Sequence, residues 1–176
     1  MLLSRDELVT ALFCETDRAQ RLKMPLSVIA VELADWDAPE SEVKQVSPAA
    51  AERIIVARIT GILRCYDSLG RWANGEFILL LPGCAITHAR TLAERLRDEV
   101  FLVPVEAGGV KMCVMACFGV ASSGGRSPFV VLRDARNALQ QARTAGPGSI
   151  GCSSADAEAN PAAFLIPVLQ REDLQW

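Results

Sequence analysis

The sequence predicts an α/β domain in which helices flank a mixed sheet, and three observations carry that expectation. Apolar stripes at helical spacing alternate along the chain with short β-branched runs. Asn74-Gly75 falls between two apolar runs, which marks a hairpin and therefore neighbouring antiparallel strands within that alternation. The 176 residues are 51% apolar but only 6% aromatic, a composition suited to helices packed on a sheet, and long enough for one substantial core.

Taken in order, residues 4–23 set Leu8, Leu12, Phe13, Ala19 and Leu22 in a helical stripe, with Ser4 as N-cap and Pro25 as the stop. Leu26 to Leu33 reads as a buried strand, and Asp35 to Pro48, with its prolines, acids and serines, as a loop. Helical spacing returns from Ala49 to Leu63. Ser68 to Pro82 is the hairpin, whose turn residues Asn74 and Gly75 are both expected at positive φ, followed by a buried strand at Ile78 to Leu81. Thr87 to Val100 is an amphipathic helix. Val110 to Ala121 reads as one strand, reached from Phe101 to Val105 through Gly108-Gly109. A last helix, Phe129 to Ala145, stops at Gly146-Pro147-Gly148. One domain over 1–152 and a C-terminal tail over 153–176 are expected. The tail is polar except for Phe164 to Leu169, which together with Trp176 could dock a partner or pack on its own domain.

A formal charge of −3 argues against a broad phosphate-tracking surface, so no nucleic-acid partner is expected, although a few local arginines can still serve a small anion. The six cysteines include no CxxC pair and the only histidine is His88, which leaves no zinc cluster; Cys113 and Cys117 read as core fillers. No apolar run reaches the roughly 20 residues of a spanning helix, and the N-terminus reads as an amphipathic helix rather than a signal peptide. A cytoplasmic protein with no membrane contact is the expectation.

The hairpin region carries Arg64-Cys65-Tyr66-Asp67, then Arg71-Trp72 and Ala73-Asn74-Gly75-Glu76-Phe77, then an apolar strand ending in Leu81-Pro82. Downstream lie Ala93-Glu94-Arg95-Leu96-Arg97, then Cys117-Phe118-Gly119-Val120-Ala121. Asp134-Ala135-Arg136-Asn137-Ala138-Leu139-Gln140-Gln141-Ala142-Arg143 follows, with Gly146 beyond it. In that order and spacing the chain resembles the GGDEF domain of diguanylate cyclases over residues 5–150. The matching family patterns are RxxD, R-[YW]-GGDEF, AER-[IL]-R, S-[IV]-G-[VI]-A and AD-x-ALY-x-AK-xx-G. The resemblance implies a nucleotidyl-cyclase-like, largely antiparallel central sheet.

Active members condense two GTP molecules into cyclic di-GMP with divalent cations, which need converging carboxylates. The resemblance places Glu32 and Ala34 at the two acidic positions of the family's D-x-D strand end, and Gly75 where the motif's metal-binding acid belongs. Asn74 replaces its second glycine, and Glu76 survives. Arg143 stands at the phosphate-binding lysine, Pro147-Gly148 at the following Arg-Asn, and Ala50-Ala51 at the guanine-gripping GD. The N-terminal D-x-L-T segment has no counterpart. A degenerate domain with no catalytic residues, no metal site and no cofactor is expected.

The family's inhibitory site, by contrast, maps onto Arg64, Asp67 and Arg95. Guanidinium forks suit phosphate and the O6/N7 edge of guanine, and a carboxylate accepts from its N1–H and N2–H. The resemblance therefore implies a cyclic di-GMP receptor that signals to a protein partner, with a ligand-bridged homodimer possible. The alternatives are a ligand-independent interaction scaffold and a residual cyclase. Of the neighbours, Tyr66 either stacks on guanine or packs. Trp72 reads as core, His88 as surface, Arg143 as a solvated helix charge, and Glu32 and Glu76 as remnants.

Overall fold

The computed structural model describes residues 1–34, 48–107 and 110–153. The loop expected at Asp35 to Pro48 therefore lies largely outside the described residues, as do Gly108-Gly109 and the tail with Phe164 to Leu169 and Trp176.

Among the described residues eight strands and four α-helices follow one another as β1 (Leu2–Leu3), α1 (Arg5–Leu22), β2 (Leu26–Leu33), α2 (Pro48–Ile62), β3 (Ser68–Ala73), β4 (Glu76–Pro82), α3 (Ile86–Leu96), β5 (Val105–Ala107), β6 (Val110–Met112), β7 (Ala116–Ser122), α4 (Pro128–Ala145) and β8 (Ile150–Cys152). The main sheet has six strands in the order β1-β3-β4-β2-β7-β8. Its four inner strands pair antiparallel, and only the outermost strands, β1 on β3 and β8 on β7, are parallel. The fold is thus a mixed α+β domain with a largely antiparallel central sheet between two helical layers.

Strand alternation splits the core into those layers. Ile29, Val31 and Leu33 of β2, Phe77, Leu79 and Leu81 of β4, and Phe118 and Val120 of β7 meet α2 and α3 on one face. Val28, Ala30, Ile78, Leu80, Cys117 and Ala121 meet α1 and α4 on the other. Alpha-helix α1 begins with a capping box: the Glu7 N–H donates to Ser4 Oγ and the Ser4 N–H donates to Glu7 Oε2 (3.4 and 2.8 Å). Helix α4 lies unusually close to the sheet, because a Cβ on Gly119 or on Gly151 would meet the Ala135 or the Ala138 carbonyl oxygen at 2.1 Å.

Four expectations are corrected. Only Gly75 of the hairpin turn has positive φ (68°); Asn74 does not. A register shift between Arg71 and Ala73 supplies the extra strand twist, so the turn needs only one left-handed residue. The strand expected over Val110 to Ala121 is two strands, because β6 pairs with β5 in a separate ribbon while Ala116 onwards joins β2. Cys113 falls between them and is exposed, whereas Cys117 is buried, so the two do not fill one core. The third helix leaves α geometry at Arg97 and ends in a π-helical turn through Phe101. There the guanidinium of Arg58 donates to the carbonyls of Val100, Val103 and Pro104 (3.2, 2.8 and 2.9 Å), tying α2 to the chain end that α3 leaves open.

Candidate functional site

Two groups of polar side chains border the hairpin. At its tip, Glu32 at the end of β2 stands opposite Glu76 at the start of β4. Arg136 and Arg143, seven residues apart on one side of α4, reach these acids. Arg136 donates from Nε to Glu76 Oε1 at 2.8 Å, and Arg143 Nη1 lies 3.3 Å from Glu32 Oε1. The Glu76 side chain is 11% exposed, so its charge is matched inside the fold rather than by water. Trp72 lies between two guanidinium groups, with Arg5 Cζ 4.2 Å and Arg136 Cζ 5.4 Å from its ring. Arg143 is therefore the solvated helix charge expected from the sequence, half exposed, and an ion-pair partner as well. The two glutamates hold α4 to the sheet rather than standing idle, and Trp72 packs, half-buried, against the edge of the core beneath these cations.

The donor set at this turn does not fit a divalent cation. Gly75 and Ala34 bring no oxygen ligand in their side chains, and the two glutamates face arginines. Among the described residues no group of three His, Cys, Asp or Glu side chains could hold a metal ion. Periodicity alone could not reveal the arginine pair. Its signal was a charge reversal, since the AD-x-ALY pattern puts an acid where this chain has Arg136.

The second group lies where α2 runs into β3. Asp67 closes the helix end: its Oδ2 accepts from the Arg64 backbone N–H at 2.8 Å, and its own N–H donates to the Arg64 carbonyl at 3.1 Å. The Arg64 guanidinium donates from Nη1 to the Tyr66 hydroxyl at 2.9 Å. Burial pushes the Asp67 carboxyl above its ordinary 3.8, against the opposing pull of the Arg64 N–H and guanidinium. Burial and the neighbouring Asp67 likewise push the Cys84 thiol up. Arg64, Asp67, Tyr66 and Cys84 thus form one cluster. Arg95, on α3 and half exposed, holds its Nε 2.9 Å from Glu99 Oε1.

Beside this cluster a cavity of about 320 Å³ opens toward the end of α1. Tyr66, Met24, Pro25 and Pro82 line it together with Glu15 and Arg18, which pair at 3.5 Å. Sequence reasoning singled out Tyr66 but not this groove, because the α1 residues that complete it are some 50 positions away in the chain.

Because its folded-state pKa is raised, Asp67 binds its proton more tightly in the folded than in the unfolded chain. Its ionisation therefore costs stability as pH rises above the ordinary value. Asp67→Asn keeps an oxygen for the Arg64 N–H and removes that cost. Thermal melts should show this variant at least as stable as the parent at pH 7, with the difference closing as pH falls below about 4. A variant less stable than the parent at pH 7 would contradict it.

Residues 48–149 match the family profile described as "Diguanylate cyclase, GGDEF domain". Diguanylate cyclase DgcP of Pseudomonas aeruginosa is 30% identical over 95 residues, which is 53% of this chain but only 14% of that protein. The structure is similar to that of diguanylate cyclase SiaD from P. aeruginosa, solved with its activator SiaC (TM-score 0.76, 28% identity, 86% of this chain and 58% of that one). It is also similar in fold to the GGDEF domain of DgcB from Caulobacter crescentus in complex with c-di-GMP (TM-score 0.78, 16% identity, 87% and 92% covered). Among the described residues no helix is long and apolar enough to cross a membrane.

Proposed function

Because this chain belongs to the diguanylate cyclase GGDEF domain family, we propose that it is a member without cyclase activity that serves as a cyclic di-GMP receptor through Arg64, Asp67 and Arg95 and relays binding to a protein partner. The observation that carries the reading is the contrast between the two ends of the hairpin. At the tip, arginines stand against the acids that would hold a cation. At the base, Arg64 and Asp67 keep the pattern of a guanine and phosphate site in a half-exposed turn. That a domain of this fold, DgcB, has been crystallised with c-di-GMP supports the choice of ligand.

Calorimetry with purified protein tests it. Cyclic di-GMP should bind, and Arg64→Ala should weaken binding about tenfold or more, since a hydrogen bond to a charged group contributes about 1.5–3 kcal/mol. Incubation with GTP and Mg²⁺ or Mn²⁺ should give no cyclic di-GMP. Undetectable binding at high micromolar ligand, or accumulation of product, overturns the proposal.

A scaffold role independent of ligand is the second reading, and one observation favours it. Phe13 of α1 and Phe129 of α4 form an edge-to-face pair (centroids 5.0 Å apart) while remaining 42% and 66% exposed. Partner binding unchanged in Arg64→Ala would support that role. Dimerisation that needs cyclic di-GMP would instead point to a ligand-bridged pair.

A further inference from the structure

We infer that the groove between Tyr66 and α1 is a further arm of this site, and that it takes one guanine base of cyclic di-GMP stacked on the Tyr66 ring, with the adjoining phosphate on Arg64. The inference rests on the receptor reading and names a specificity-determining residue for it.

The Tyr66 ring is held but not covered. Its hydroxyl is fixed by Arg64 at 2.9 Å, yet the residue remains 51% exposed. An aromatic face already oriented before the ligand arrives loses little side-chain freedom on binding. The groove beside it is about 320 Å³, at the lower end of the roughly 300–1,000 Å³ of small-molecule sites, and so suits one base rather than a whole dinucleotide. Its other contacts are flat or soft: Pro25, Pro82 and the thioether of Met24, itself 49% exposed. Such walls fit a planar aromatic guest.

The charges around the groove select which base. Arg18 lines the groove and Arg64 adjoins it through the Tyr66 hydroxyl, the cations that a phosphate needs. Glu15 lines the groove, and Asp67 gives one oxygen to the N–H of the adjoining Arg64. Carboxylates accept from guanine N1–H and N2–H, whereas adenine offers an acceptor at N1 and no 2-amino group.

Tyr66 is the only tyrosine in the chain, so ring-labelled tyrosine reports it alone by NMR. Titration with cyclic di-GMP should move its ring resonances upfield, saturating at the affinity found by calorimetry. Cyclic di-AMP and pyrophosphate should leave them in place at the same concentrations. Tyr66→Ala should weaken cyclic di-GMP binding roughly 5- to 150-fold, the range of one lost base stack, while Tyr66→Phe should retain most of the affinity. Both variants alter an exposed side chain, and matching melting curves will confirm that they fold. If calorimetry detects binding but the Tyr66 signals stay still and Tyr66→Ala binds like the parent, the groove is not used and the receptor reading stands. If calorimetry detects no binding, the receptor reading falls and this inference with it.

Discussion

Gly119→Ala is expected to lower stability by at least about 3 kcal/mol, at or beyond the upper end of ordinary overpacking effects. The added Cβ would lie 2.1 Å from the Ala135 carbonyl oxygen and 2.2 Å from the Leu139 nitrogen, both backbone atoms of α4. No side-chain rotation relieves such contacts, so α4 must move off β7, and with it the arginines that reach Glu32 and Glu76. Gly151→Ala should behave alike, since Ala138 O is 2.1 Å from its Cβ position. Gly61 is the control: it lies within α2 with nothing inside 4 Å, and Gly61→Ala should add about 0.5–1 kcal/mol through helix propensity. Urea unfolding measures all three. A Gly119→Ala midpoint equal to the parent's would mean that α4 does not sit this close.

Arg136→Met should cost about 1–3 kcal/mol, and most of that loss should disappear when Glu76→Gln is added. Removing one partner of a buried pair costs about 3–5 kcal/mol because a charge is left uncompensated. The figure is smaller here because the Arg136 side chain is 47% exposed, although Glu76 is only 11% exposed. The guanidinium also leaves the Trp72 face. A double-mutant cycle by chemical denaturation separates the pair from the rest. Strictly additive losses would show that Arg136 acts through Trp72 alone. A strong coupling would mean that an arginine does at this turn what a cation does elsewhere, neutralising a carboxylate that the fold has drawn in from water.

Most of the architecture could be read from local signals, since each inner element has a period of its own. The stripe of Leu8 and Leu12 located α1, and the Ser4 cap fixed its start. The β-branched run at Leu26 to Leu33 located β2. What escaped were features decided by distant partners. Leu2–Leu3 and Ile150–Cys152 are too short for any periodicity and are strands only because β3 and β7 lie alongside. Gly151 carries no local signal in the sequence, yet a glycine is needed there because the α4 backbone approaches so closely. The site shows the same division. Arg64 and Asp67, three residues apart, were legible as a pair because one turn joins them. The Glu76–Arg136 pair spans 60 residues and needed the fold to bring it together.

The shortness of those outermost strands also bears on how the molecule behaves in crowded solution. A row of free amide and carbonyl groups along a sheet margin invites another chain to extend the ladder. Among the described residues the outermost strands are two residues long on one side and three on the other. Strands that short offer an incoming chain little register, and the long, very apolar β2 and β4 are paired on both sides in the middle of the sheet, where no neighbour can template upon them.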